Sequence, residues 1–141
     1  MSETKLVVCP RCDAKNRVSA ARDAKAAKCG RCKSALFAGE PVSLTADRLE
    51  KHLAGDTPLI VDFWASWCGP CRAMAPVFDR AAQALEPKAR FVKIDIDAEP
   101  AVAARYGVRG IPALFLIKDG KIEQQHAGMA DLGLLSRWAG G

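Results

Sequence analysis

The reactive side chains of this chain are six cysteines in three Cys-x-x-Cys pairs: Cys9 with Cys12, Cys29 with Cys32, and Cys68 with Cys71. Such a pair does one of two chemistries. It supplies half of a tetrahedral thiolate cage for a metal ion, or it cycles between dithiol and disulfide. The first two pairs stand as Cys-x2-Cys-x16-Cys-x2-Cys, the spacing of a zinc ribbon. In each half, a two-residue gap lets a tight turn present two sulfurs to one ion. Pro10 pre-sets φ in the first turn, and Gly30 frees the backbone in the second. The expected ligands are Cys9, Cys12, Cys29 and Cys32, holding a single structural zinc per chain. Iron in the same cage, two disulfides or four free thiols are the competing readings, and zinc is the one adopted.

The third pair has a different setting. "TPLIVDFWA", residues 57–65, is an almost unbroken apolar run that suits a central strand buried on both faces. Ser66-Trp67-Cys68-Gly69-Pro70-Cys71 follows, and then apolar residues at helical spacing from Met74 to Leu85. Cys68 therefore falls at a strand-to-helix junction, where unpaired N–H groups and the helix dipole stabilise an anion. Such a place lowers a thiol's pKa and makes Cys68 a nucleophile near neutral pH. Cys71 lies one helical turn further on, close enough to attack a mixed disulfide formed by Cys68. No partner cysteine or nearby histidine remains to complete a third metal half-site. His52 and His126 are isolated in sequence and expected at the surface. The pair reads as a redox dithiol.

Several elements must position these groups. Residues 41–44 read as a short strand, and Thr45 caps a helix with Leu49 and Leu53 on one face. The helix that follows Cys71 contains Pro76, which should kink it. "ARFVKIDID" and "ALFLI" read as further strands, with "PAVAARYG" between them as a helix ended by Gly107. "KDGK" is a turn into a strand near Ile122–His126. Asp131 can cap a last helix bearing Leu132, Leu135 and Trp138. The order β-α-β-α-β-α-β-β-α predicts an α/β fold with a mixed central sheet flanked by helices.

The formal net charge is +5, and it is unevenly spread. Residues 1–40 carry nine Lys/Arg against four Asp/Glu, whereas residues 41–141 carry twelve of each. This step, with the turn residues Gly39-Glu40-Pro41, marks a boundary. It divides the chain into a zinc-ribbon module at 1–38 and a larger domain at 39–141. Apart from alanines, the ribbon offers only Leu6, Val7, Val8, Val18, Leu36 and Phe37 to bury, so metal binding should supply its folding free energy. Its basicity does not point to nucleic acid, because Phe37 is its only aromatic residue and gives no run of stacking platforms. Arg11, Lys28, Arg31 and Lys33 are expected instead to offset the thiolate charge. "MSETKLVV" has three apolar residues in a row before Cys9, too few for a signal-peptide core, and no stretch approaches a membrane span. A cytoplasmic location, where thiols stay reduced, is expected. The closing glycines of "SRWAGG" are expected to fray.

Residues 41–141 resemble the thioredoxin family along their whole length, through "VDFWASWCGPCRAMAP", "KIDID", "YGVRGIP" and "KDG". With the four-cysteine extension in front, the chain is similar to the zinc-binding second thioredoxins of bacteria. The resemblance implies a thioredoxin fold and a thiol–disulfide oxidoreductase that reduces protein disulfides, with Cys68 as attacking thiolate and Cys71 as resolving thiol. It implies that Asp62, its pKa raised by burial, accepts the Cys71 proton; a hydrogen-bonded structural carboxylate is the plainer reading. Lys93 matches the lysine near that carboxylate, with a solvent-facing strand lysine as the alternative. Pro112 matches the cis-proline facing the cysteines, which leaves the Ile111 backbone free to pair with an extended substrate strand. Trp67, Gly110 and Gly128 match the flat, uncharged rim around the sulfur, simple packing being the other reading of Trp67. Gly69 and Pro70 belong with this substrate surface. In the family they accompany a reducing potential, and no His stands between the cysteines to favour the thiolate, so a reductant is expected.

The implied partners are disulfide-bearing proteins and an NADPH-dependent thioredoxin reductase. No Gly-rich phosphate loop is present, so no organic cofactor is expected, nor a membrane or nucleic-acid partner, and the chain should be a monomer. The alternative function is a zinc-dependent protein- or RNA-binding module with a redox-inactive thioredoxin-like domain.

Overall fold

The structure, a computed structural model, describes residues 3–140. Of the closing glycines, Gly141 therefore lies outside the described residues, as do Met1 and Ser2 of the opening octapeptide. The chain begins with a hairpin in which β1 (Thr4–Val8) pairs antiparallel with β2 (Lys15–Ser19). The sequence reading assigned no strands here. Only Val7, Val8 and Val18 of these ten positions are buried, too few for the alternation of a strand to register.

After a short 3-10 turn (Ala24–Ala26) come β3 (Val42–Ser43), α1 (Ala46–Leu53), β4 (Leu59–Trp64), α2 (Gly69–Leu85), β5 (Arg90–Asp95), α3 (Pro100–Arg105), β6 (Ala113–Lys118), β7 (Lys121–Ala127) and α4 (Leu132–Trp138). Their order is the one expected. They build a mixed sheet in the order β3-β5-β4-β6-β7, with β3, β5 and β4 parallel and the last two strands antiparallel. The helix starts follow from local chemistry. Thr45 Oγ1 accepts the Arg48 N–H at 3.4 Å, and Asp131 Oδ1 accepts the Leu134 N–H at 2.8 Å. Asp119 and Gly120 both hold positive φ, 52° and 76°, as a two-residue hairpin turn between β6 and β7 requires. The helix α2 runs on through Pro76.

Alternation along β4 and β5 splits the core into two layers. Ile60 and Phe91 face Met74, Phe78 and Leu85 of α2 and Leu135 of α4. Val61, Phe63, Val92 and Ile94 face Leu49 of α1 and Val102 of α3. Each such fully buried side chain contributes roughly 1.5–3 kcal/mol. Asp62 and Lys93 share the parity of Ile60 and Phe91, so the sheet aims both toward the α2 side.

The hairpin is fastened to the larger domain by polar contacts. Asp13, at φ 62°, accepts from Arg48 Nε at 2.9 Å and lies 2.9 Å from His52 Nε2. His52 is consequently buried, not at the surface as expected, because α1 turns it under the first cysteine turn. Burial pushes its pKa down, opposed by Asp13. Asp13, despite its own burial, is held below the usual carboxylate range by the Arg48 and His52 hydrogen bonds.

Candidate redox centre and metal site

The strand β4 delivers the chain to the first turn of α2, and the side chain of Cys68 caps that helix. Its Sγ accepts the Cys71 N–H at 3.2 Å. Pro70 occupies the first turn, where its missing N–H leaves no helical bond unmade. Cys68 and Cys71 are joined as a disulfide with Cα atoms 5.2 Å apart. The same N-terminal N–H groups that solvate this sulfur favour a thiolate once the bond is reduced. The sulfur is less open than expected: Cys68 is 5% exposed and packs with Ala65, Trp64, Ile96 and Ile111.

Cys68 Sγ lies 3.7 Å from the Ile111 carbonyl oxygen, and the Ile111–Pro112 peptide is cis. Trp67, Cys68, Gly69, Pro70, Gly110 and Ile111 come together around a groove of about 400 Å³. Gly128 stands outside its lining. It donates its N–H to the Pro112 carbonyl at 2.8 Å with φ 93°, a conformation that strains any side chain. Trp67 is 64% exposed, and its Nε1 donates to Asp97 Oδ2 at 2.9 Å. That fixes an aromatic plane at the mouth of the groove. Arg109 also lines the groove, and Met129, 46% exposed, follows Gly128. The sequence reading passed over Asp97, Arg109 and Met129. Asp97 and Arg109 lie inside the quoted KIDID and YGVRGIP stretches and Met129 follows the matched Gly128, so membership and adjacency were the available signals.

Asp62 is 1% exposed, and neither of its carboxylate oxygens has a hydrogen-bond partner among the described residues. Desolvation raises its pKa to about 6, against the lowering effect of the Lys93 charge. Lys93 sits opposite Asp62 in the parallel register, with Nζ 4.7 Å from the centre of the Trp64 ring. It is half-buried against that ring instead of lying free in solvent.

The other four cysteines converge. The Sγ atoms of Cys9, Cys12, Cys29 and Cys32 all lie within 4.8 Å of one another, with 3.6 Å for Cys9–Cys32 and for Cys12–Cys29. A tetrahedral zinc with bonds of about 2.3 Å requires sulfur separations of roughly 3.8 Å. Donor type and spacing both fit zinc. Backbone and amide donors, which the sequence reading did not name, also reach the sulfurs. Backbone N–H groups of Arg11 and Arg31 donate to Cys9 and Cys29 at 3.4 Å each, and Asn16 Nδ2 reaches Cys29 at 3.5 Å. The Cys32 backbone, then Asn16 and Arg31, pull the Cys29 thiol down, whereas burial pushes the Cys9 thiol up. Positive φ falls on Asp13 and Lys33, each one residue past a second ligand, and not on Gly30.

A disulfide at a helix start beside a cis-proline, set in this sheet, defines a thiol–disulfide oxidoreductase. The thioredoxin family model matches residues 40–139, and the model described as "Thioredoxin 2, N-terminal", a zinc ribbon, matches residues 8–34. "Thioredoxin C-3" of Corynebacterium nephridii is 41% identical over 113 residues, covering 79% of this chain and 77% of that one. "Thioredoxin" of Rhodospirillum rubrum is 45% identical over 89 residues, 63% of this chain and 86% of its own length. A solved point mutant of thioredoxin from Halobacterium salinarum NRC-1 superposes with TM-score 0.65 at 34% identity, covering 70% of this chain and 87% of that one. The chain belongs to the thioredoxin family and has its fold, with a zinc-ribbon segment in front. Among the described residues no helix is long and apolar enough to cross a membrane.

Proposed function

We propose that this chain is a reductant of protein disulfides in the cytoplasm, working as a monomer and recharged by an NADPH-dependent thioredoxin reductase. The observation that carries the reading is the Cys68–Cys71 disulfide whose first sulfur caps α2. That disulfide is the oxidised half of the cycle. In the reduced half, the Cys68 thiolate attacks a substrate disulfide, forming a mixed disulfide and expelling one substrate thiolate. The Cys71 thiol gives its proton to the Asp62 carboxylate and attacks Cys68 Sγ. The second substrate thiolate leaves, and two electrons have passed from the dithiol to the substrate. A carboxyl whose pKa is about 6 is suited to receive this proton near neutral pH. Lys93 holds that carboxyl within working range, since its charge opposes the desolvation. Trp67, Gly69, Pro70, Gly110, Ile111, Pro112 and Gly128 form the surface on which the substrate strand lies, with the Ile111 backbone as its pairing edge.

The division of the chain is 1–38 and 39–141. A single structural zinc held by Cys9, Cys12, Cys29 and Cys32 would supply folding free energy to the first unit and takes no part in the exchange. No organic cofactor is needed, since the electrons arrive by exchange with the reductase dithiol.

The test is dithiothreitol-driven reduction of insulin disulfides by wild type and Cys68→Ser. Loss of the enhancement in the variant is expected. Equal rates would favour a zinc-dependent binding module with an inactive redox domain.

A further inference from the structure

A second concavity lies at the seam between the hairpin and the larger domain, away from Cys68 and Cys71; its floor packs on the cluster that holds Cys9 and Cys29. Its volume is about 360 Å³, within the range of about 300–1,000 Å³ for ligand-sized clefts, which favour domain interfaces. The floor is apolar: Val7, Val18 and Phe37 are each buried to within 8% of full burial. The rim is basic. Lys5, Arg22 and Lys88 surround the floor, all exposed, and none forms an ion pair among the described residues. The one acid in the lining, Asp23, also caps a short turn, with Oδ1 accepting the Lys25 N–H at 3.0 Å, and three cations against this one carboxylate leave the rim net positive.

An apolar floor inside a ring of unpaired cations is complementary to one chemistry, an apolar body carrying anionic groups. We propose that this cleft docks an acidic, apolar peptide segment of a partner protein. A nucleic acid fits poorly, because Phe37 is the one aromatic face and lies buried in the floor. A bilayer fits poorly too: the exposed large apolar residues Trp67, Ile122, Met129 and Leu132 all lie outside the cleft, leaving nothing to insert. A peptide supplies one or two side chains for the floor and carboxylates for the rim.

The position gives such docking a use. Pro58 of the cleft precedes β4, and Cys68 follows its far end. Six strand residues separate the two sites by about 20 Å. A partner held at the seam by one segment can present a disulfide from another, which raises the local concentration of that disulfide at Cys68. This recruiting role rests on the redox reading above; the binding itself does not.

The test uses the metal-loaded full chain and a fluorescent, cysteine-free peptide, Asp-Glu-Phe-Leu-Asp-Glu, followed by polarisation and by amide NMR shifts. The expected result is saturable binding that shifts Val7, Val18, Phe37 and Lys88. It should weaken about tenfold or more in Arg22→Glu/Lys88→Glu and weaken with added salt. Filling the cleft from an exposed position, with Ala20→Trp, should abolish it. Shifts confined to residues 67–71 and 109–112, equal affinity for the Asn/Gln version of the peptide, or no saturable binding would each overturn the proposal. Displacement of the peptide by anionic phosphatidylglycerol vesicles would overturn it in favour of a membrane surface. Reduction of a small aryl disulfide by the same samples reports the redox centre separately and should match wild type in both variants.

Discussion

The guanidinium of Arg90, on β5 of the redox domain, donates to the carbonyl oxygen of Val8 in the ribbon at 3.0 Å. Arg90 is 2% exposed and also faces Glu86 at 3.5 Å, while Glu86 accepts the Gly39 N–H at 2.8 Å. Its guanidinium lies 4.4 Å from the centre of the Phe37 ring. Val8 adjoins Cys9, so a buried charge of the larger domain is met by the residue next to a proposed metal ligand. A ribbon that lets go takes one hydrogen bond from that guanidinium and leaves it the Glu86 carboxylate.

Chelation should therefore destabilise more than the ribbon. Losing a hydrogen bond to a buried charged group costs about 1.5–3 kcal/mol, and each kcal/mol moves the midpoint by roughly 4–8 °C for a domain near 100 residues. Calorimetry with a zinc chelator should show the redox-domain transition falling by about 6–24 °C. A transition that stays put would mean the two units are energetically separate.

The second fastening is Asp13, which accepts from Arg48 Nε at 2.9 Å and Arg48 Nη2 at 3.0 Å, with His52 on the same carboxylate. Asp13→Asn keeps the size and removes the charge. It should cost about 2 kcal/mol, since charged hydrogen bonds of limited exposure are weakened together. Asp56→Asn, at an exposed bond to the Leu6 N–H of 2.7 Å, should cost under about 1 kcal/mol. Urea denaturation of both variants checks the order.

Asp62 makes a stability prediction with a definite sign. Its folded pKa of about 6 lies above the ordinary 3.8, so the folded state binds more protons than the unfolded state across that interval. The fold accordingly loses stability as pH rises through the window, and the full cost is present above it. A shift of this size corresponds to about 3 kcal/mol. Asp62→Ala should unfold later than wild type by on the order of 2–3 kcal/mol at about pH 8, with the gap closing toward about pH 4. Its exchange activity should fall at the same time. A constant gap at all pH values would show that packing, not ionisation, separates the two proteins.

Much of this was legible from the chain because the signals were local. The apolar run through Phe63, the caps Thr45 and Asp131, and the Asp119-Gly120 turn each specify their element without reference to distant residues. What was not legible depends on contacts across long sequence separations. His52 reads as a solitary polar residue until the first cysteine turn is laid over α1 and Asp13 meets it. Arg90 reads as the edge of a strand until Val8 arrives from the ribbon. The Trp67–Asp97 bond joins residues thirty apart, and neither signals the other in sequence. Gly30 shows the opposite error: a glycine invited a conformational role, but the strained positions are the metal-turn residues Asp13 and Lys33.

The order of the two exchange steps can be read directly by trapping. Cys68 caps the helix and accepts the Cys71 N–H, so its thiolate is the one stabilised by the helix terminus. Both cysteines are largely buried, but Cys68 lines the groove with Trp67 and Ile111 and Cys71 does not, which places the first of them to meet an incoming disulfide. Cys71→Ser should then attack substrate at close to the wild-type rate and stop, leaving a covalent adduct. Non-reducing mass spectrometry after mixing with oxidised substrate should find that adduct on Cys68 in most of the protein. Cys68→Ser should give essentially none, because the remaining thiol lacks both access and the helix-end N–H groups that lower a thiol's pKa. Adduct on Cys71 in the second variant, at a rate within about tenfold of the first, would reverse the assigned roles of the two sulfurs.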